Sequence, residues 1–275
     1  MKVMLLWPML FLAAMSCRGD SRAGDADRQQ LRHIDGSYVS VGEMERYVAE
    51  VMDSAGVMGL QMAIINDGNV VYEHEWGLKS RTSGLASDRE TIFAGLSFSK
   101  PAFAYLVMQL VEDGLLDLDR PLVDYLGRPI EEYRGWEDMK GGGQVREITA
   151  RRVLTHTTGF LTEGGKLSFV YPPGERFSYS GEGFHFLQLV VENVTGKPLD
   201  VLARKRVFVP LSMSRTSYTW EAAFDANHAD GHTERQQRFK MWRDSEPSAA
   251  GSLLTTASDF ARLLIAVLNG EGLKL

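Results

Sequence analysis

Gly95-Leu96-Ser97-Phe98-Ser99-Lys100 opens the longest apolar helical pattern in this chain. Beyond it Phe103, Leu106, Val107, Leu110 and Val111 recur at helical spacing, and Gly114 stands where a left-handed residue would close the helix. Ser97 and Lys100 lie three apart, so a helical start puts both on one face. A serine hydroxyl is a poor nucleophile until a neighbouring base takes its proton. A lysine can do this only when neutral, a state that burial favours. The Ser97 N–H, at the mouth of the helix, can meet a developing oxyanion. The residues alone leave two readings open: a nucleophile with its basic partner, or Ser97 as an N-cap beside a solvated first-turn lysine. Pro101 disfavours helical angles at Lys100 but is tolerated within a first turn.

Upstream, Leu60–Ile65 and Val70–Trp76 are β-rich runs around Asn66-Asp67-Gly68-Asn69, a hairpin signal. Before them Ser40-Val41-Gly42-Glu43 reads as a capping box, followed by Met44, Tyr47, Val48 and Val51 at helical spacing. Downstream, residues 127 to 150, with Gly141-Gly142-Gly143, read as a surface excursion. A short helix is expected over Ala150–His156, a buried one over Glu182–Val194, and another from the Thr256 cap through Leu268 to Gly270. Strand signals after the hairpin are few, and Arg206–Val209 and Thr216–Trp220 are the best. A two-stranded hairpin is marginal alone, so the sheet reads as incomplete.

Composition excludes several classes. The chain has 275 residues, 44% of them hydrophobic and 24% charged, ordinary globular proportions that exclude wholesale disorder, collagen and coiled coil. A net charge of −6 with no basic stripe argues against nucleic acid as a partner. One cysteine excludes an internal disulfide framework and any Cys-based zinc cluster. That cysteine follows Lys2, an apolar run from Val3 to Met15, and Ser16, so residues 1–16 read as an export signal peptide. Ala14-Met15-Ser16-Cys17 resembles a bacterial lipobox, which would make Cys17 a lipidated membrane tether at the cell envelope or periplasm; an ordinary signal peptide with an incidental cysteine is the alternative. Residues 17–35 read as a flexible tether and 36–275 as one domain.

The segment Thr91–Lys100, then Leu110-Val111-Glu112-Asp113-Gly114-Leu115-Leu116-Asp117-Leu118-Asp119, resembles the serine β-lactamase-related family. That family includes class C β-lactamases, D-alanyl-D-alanine carboxypeptidases and related esterases. Similarity continues in order at Ile148–Gly159, Pro173–Gly181, Val209–Met213 and Ala250–Asp259, so it covers residues 40 to 270. The resemblance implies an α+β fold of the β-lactamase/transpeptidase type, an antiparallel sheet beside a mostly helical region with Ser97 at their junction. It implies Ser97 as acylated nucleophile, Lys100 as its proton-handling partner, and Tyr179, first residue of the Tyr-x-Asn motif, as the phenol serving the leaving group and water. The substrate would be an ester, a β-lactam or a D-Ala-D-Ala-type peptidoglycan stem peptide, with no cofactor and no metal. Gly181 stands where the family has asparagine, which makes strong β-lactam hydrolysis less expected. Gly181 and the adjacent Glu182 are candidate substrate-binding residues, and a first-turn carboxylate favoured by the helix dipole also accounts for Glu182.

The family's third motif, Lys/His-Thr/Ser-Gly on a strand, should follow all of these. His156-Thr157-Thr158-Gly159 has similar letters but precedes Tyr179, where the family has a structural turn, and is not counted. The expectation is therefore a C-terminally truncated chain; loss of one oxyanion donor costs about 10²–10³ in rate. Two rivals to the enzyme are an exported lipoprotein that binds peptidoglycan peptides without catalysis, and an inactive remnant. Gly95-x-Ser97-x-Ser99 lacks the second glycine of a nucleophile elbow, which disfavours an α/β-hydrolase. His228-Ala229-Asp230-Gly231-His232 has metal-like spacing on a stretch that reads as a surface turn. Trp76, Trp136, Trp220 and Trp242 are cleft candidates that ordinary packing also explains.

Overall fold

The computed structural model describes residues 29–139, 143–163, 166–233, 235, 237–239, 241 and 243–273. The expected signal peptide, Cys17, the tether up to residue 28, Gly141-Gly142 and Trp242 lie outside the described residues. The chain divides into two units, one ending at Ser54 and one of Ala55–Leu275.

In the first unit β1 (Gln30–Arg32) pairs antiparallel with β2 (Tyr38–Ser40). The helix α1 (Val41–Ala55) starts directly after, and Ser40 Oγ accepts the Glu43 N–H at 3.1 Å. The serine half of the capping box is thus formed. β1 lies inside the stretch read as a tether. Leu31 is buried between exposed neighbours, and one inward residue is too short an alternation to mark a strand in sequence.

In the second unit β3 (Gly59–Asn66) and β4 (Asn69–Gly77) form the expected hairpin, with a bulge between Ile64 and Ile65. Its turn holds Asp67 at φ 50° and Gly68 at φ 72°, the pair of left-handed residues that a two-residue type I′ turn requires. β5 (Phe93–Leu96) pairs antiparallel with β10 (Leu253–Thr255), far along the chain. Between them in sequence come β6 (Phe160–Glu163) with β7 (Lys166–Phe169), and β8 (Gly231–His232) with β9 (Arg238–Phe239). The strands of the described residues pair two by two, beside helices, which is an α+β arrangement.

The helix α2 (Ser99–Glu112) carries the core. Phe103, Leu106, Val107 and Leu110 have no exposed surface and pack among Phe186, Leu187, Val190, Leu199 and Tyr218. Burying one such side chain stabilises by about 1.5–3 kcal/mol. Gly114 closes the helix at φ 70°, and the Leu115 N–H reaches back to the Leu110 carbonyl at 3.0 Å. α3 (Ala150–Leu154), α4 (Gly181–Thr195) and α6 (Ala257–Asn269) are capped by the side chains of Thr149, Ser180 and Thr256. α5 (Leu199–Ala203) follows a proline.

Two strand expectations are corrected. Residues 204–208 continue α5 as a wide helical turn, because that path buries Val207 and Phe208 against α2. Burial here overrides β propensity. Within Thr216–Trp220 no strand forms; Ser217 alone makes a two-bond bridge to Leu254, while Tyr218 turns into the core. Among the described residues, Trp76, Trp136 and Trp220 each pack against different neighbours. Trp76 meets His74 at 4.4 Å, Trp136 stacks on Phe160 at 5.8 Å, and Trp220 meets His228 edge-on at 5.0 Å. His228 Nδ1 lies 2.9 Å from the Phe224 carbonyl, and His232 Nε2 accepts the Arg81 N–H at 3.4 Å. Among the described residues no His, Cys, Asp or Glu group could hold a metal ion, and no helix is long and apolar enough to cross a membrane.

Candidate active site

Ser97 and Phe98 form the turn between β5 and α2. Leu96, just before it, adopts φ 45°, a left-handed conformation that costs leucine about 1–2 kcal/mol. Ser99 holds it there: its Oγ donates to the Leu96 carbonyl at 2.6 Å and accepts the Leu253 N–H at 2.8 Å. The turn closes with the Phe98 N–H on Gly95 at 2.9 Å and the Lys100 N–H on Ser97 at 3.1 Å. Ser97 is left exposed while Ser99 is wholly buried. Among the described residues the Ser97 N–H has no hydrogen-bond acceptor. Pro101 sits inside the first turn, where its missing N–H is not needed.

Lys100 is buried. Its Nζ donates to Ser97 Oγ at 3.2 Å and to the Ala250 carbonyl at 2.6 Å, and lies 4.8 Å from the Tyr179 ring centre and 5.6 Å from that of Phe184. Tyr179, 82 residues beyond Ser97, donates its phenol to Ser97 Oγ at 2.7 Å. Burial raises the Tyr179 pKa, but hydrogen bonds with Lys100 and Ser97 and the lysine charge outweigh it, leaving the phenol below its ordinary 10.0. The three side chains expected to work together meet at one oxygen atom.

Tyr179 is delivered by the N-terminus of α4. Ser180 Oγ accepts the Gly183 N–H at 3.0 Å and donates to the Phe160 carbonyl. Gly159, beside Phe160, has φ 64°, and a Cβ there would lie 2.1 Å from the Tyr171 carbonyl oxygen, so the turn after α3 admits only glycine. In that turn His156 adopts φ 54°, and its ring stacks on Tyr179 at 4.5 Å with a 22° tilt. Burial, then the Lys100 charge, lowers the His156 pKa below 6.5.

The two substrate-side candidates are placed differently. A Cβ on Gly181 would meet only Ala250 Cβ at 3.6 Å, an ordinary contact, so there is room for a side chain. Glu182 lies 3.4 Å from His185 Nδ1, and the other nitrogen of that ring is 2.9 Å from Ser248 Oγ. Three contributors escaped the sequence reading. Ala250 acts through its carbonyl, which no side-chain pattern announces. Phe184 reads as core helix spacing. His156 was set aside with its tetrapeptide because it precedes Tyr179. A separate apolar cavity of about 300 Å³, lined by Leu60, Ile65, Phe98, Phe260 and Leu264, does not include Ser97, Lys100 or Tyr179.

A hydroxyl, an amine and a phenol converging on one exposed point, beside a vacant backbone N–H, can move protons to and from an attacking oxygen. Such a set does not resemble the imidazole, thiolate and carboxylate cages that hold zinc.

The architecture places the chain in the class of proteins built like penicillin-binding proteins. It matches the octameric penicillin-binding protein homologue from Pyrococcus abyssi with a TM-score of 0.70 and 25% identity, over 85% of this chain and 57% of that one. It shares the fold of the D-alanine carboxypeptidase AmpC from Burkholderia cenocepacia, with a TM-score of 0.68 and 24% identity, over 80% and 62% of the two chains. The chain belongs to the Beta-lactamase family, whose model matches residues 44–275. In sequence it is 29% identical to penicillin-binding protein 4 of Amycolatopsis lactamdurans over 229 residues, 76% of this chain and 56% of the relative. The chain spans about half the length of the curated relatives it matches, 47%, 56% and 45% of three of them.

Proposed function

We propose that the chain is a serine hydrolase that works through an acyl-enzyme on Ser97. The observation that carries this reading is the double approach to Ser97 Oγ, by Tyr179 at 2.7 Å and Lys100 at 3.2 Å. Ser97 Oγ attacks a carbonyl carbon, and its proton passes to the phenolate oxygen of Tyr179, which Lys100 stabilises. The carbonyl becomes an oxyanion beside the Ser97 N–H. Collapse breaks the bond to the leaving group, which takes the proton from Tyr179, and water then repeats the sequence to free the acid. The substrate is an ester, a β-lactam or a D-Ala-D-Ala-type peptide. The space at Gly181, where an amide-binding asparagine is missing, suits an ester at least as well as a lactam.

A fluorescent penicillin and a fluorophosphonate probe test the reading. Covalent labelling of the full chain that disappears in Ser97→Ala supports it, and labelling that survives Ser97→Ala overturns it. The same proposal includes export with Cys17 as a lipidated N-terminus, supported by the sequence of residues 1–17. Metabolic acyl labelling lost in Cys17→Ala checks that part.

A further inference from the structure

We infer that His156 is a positioning residue for Tyr179, fixing the phenol on Ser97 through both its ring and its backbone; this rests on the acyl-enzyme reading above. The amides on either side of Tyr179 both end on this one residue. The Ser178 N–H donates to the His156 carbonyl at 2.7 Å, and the Ser180 N–H donates to His156 Nδ1 at 3.1 Å. Between those two anchors the imidazole lies against the phenol ring at 4.5 Å. Tyr179 is 51% exposed, so core packing alone does not fix its direction. The left-handed backbone of His156 fits the pattern, since such strain persists where the surroundings over-determine a conformation.

The protonation state follows from the bonding. An Nδ1 that accepts from Ser180 carries no proton, so the ring is neutral with its hydrogen on Nε2, a tautomer assigned from the hydrogen bond. The titratable groups facing the ring are Tyr179 and Lys100, and Phe177 and Phe184 are its other aromatic neighbours. A charged imidazole would release Ser180 and set a second cation near Lys100. Neutral His156 therefore leaves Lys100 as the charge that lowers the Tyr179 phenol. The residue acts through Tyr179 and touches no reacting atom.

Two readouts on His156→Ala and His156→Asn test this. Asparagine suits φ 54° and offers an oxygen to the Ser180 N–H but no ring; alanine offers neither. The first readout is Tyr179 ionisation, followed by ultraviolet absorbance as the difference between each protein and its Tyr179→Phe counterpart. The second is the rate of fluorophosphonate labelling against pH. Both variants are expected to move the phenol titration up toward 10.0, alanine further than asparagine. A misplacement of this kind slows labelling by about a hundredfold. An unshifted phenol titration in either variant, with a cooperative melt, overturns the inference. If the alanine chain does not fold, the asparagine chain decides alone. Labelling that survives Ser97→Ala overturns the acyl-enzyme reading instead, and the phenol titration still reports on His156.

Discussion

Replacing Tyr179 by phenylalanine removes one oxygen atom and keeps the ring that stacks on His156. That oxygen makes the 2.7 Å bond to Ser97 Oγ. A positioned proton-transfer group contributes about 10²–10⁴ in rate, so the barrier to acylation rises by about 2.7–5.4 kcal/mol at 1.36 kcal/mol per decade. The folded state loses far less. One hydrogen bond is worth about 0.5–1.5 kcal/mol net, and at a half-exposed site water replaces part of it, so melting falls by no more than about 2–4 °C. The assay is fluorophosphonate labelling over pH 6 to 10 in wild type and Tyr179→Phe, with a melt of each. The phenol acts as a base when ionised, so the wild-type rate climbs with pH and levels off at a pH below 10.0. The variant should lose both the rate and the climb. A Tyr179→Phe chain that labels within about threefold of wild type, with the same pH profile, refutes the acid–base reasoning.

Other outcomes follow from the same geometry. Gly181→Asn should fold, because its Cβ meets Ala250 Cβ only at 3.6 Å; the ratio of penicillin to fluorophosphonate labelling should rise severalfold, and an unchanged ratio would remove Gly181 from substrate selection. Leu106→Ala, at a position with no exposed surface, should cost about 2–5 kcal/mol in urea unfolding while Ser97 still labels below the transition. His156 has a pKa lowered in the folded chain. The unfolded chain therefore binds its proton first, and this contribution is present above 6.5 and lost as pH falls through the folded value. Wild type should accordingly lose more melting temperature between pH 7 and pH 5 than His156→Asn does, and equal losses would contradict that assignment.

The parts legible in the sequence are those whose cause is local. Asp67-Gly68 supplies two positive-φ residues, so the hairpin follows from four letters. Thr256 precedes a run whose first amides it caps, and Gly114 and Gly270 end helices at positive φ. Ser97 and Lys100 are legible as a pair from their spacing and Tyr179 from the family resemblance, and the three side chains meet at Ser97 Oγ. Features with distant causes were not readable. Arg206–Val209 has strand-forming residues, yet the chain gains more by burying Val207 and Phe208 as a helical turn. The Ala250 carbonyl reaches Lys100 across 150 residues as backbone, which carries no letter of its own. His156 stands in a turn, as its tetrapeptide is read, but its approach to Tyr179 is not legible, because two hydrogen bonds and a ring contact join residues far apart in sequence.

The second serine of Ser97-Phe98-Ser99 bears on how any knockout is interpreted. Its hydroxyl proton is committed to the Leu96 carbonyl, its oxygen already receives the Leu253 amide, and no solvent reaches it. Such a group has neither a spare lone pair aimed outward nor a route by which a carbonyl compound could approach. Deleting the exposed hydroxyl two positions earlier thus leaves no understudy within this turn, so covalent labelling that persisted in that variant would have to fall on a residue outside it.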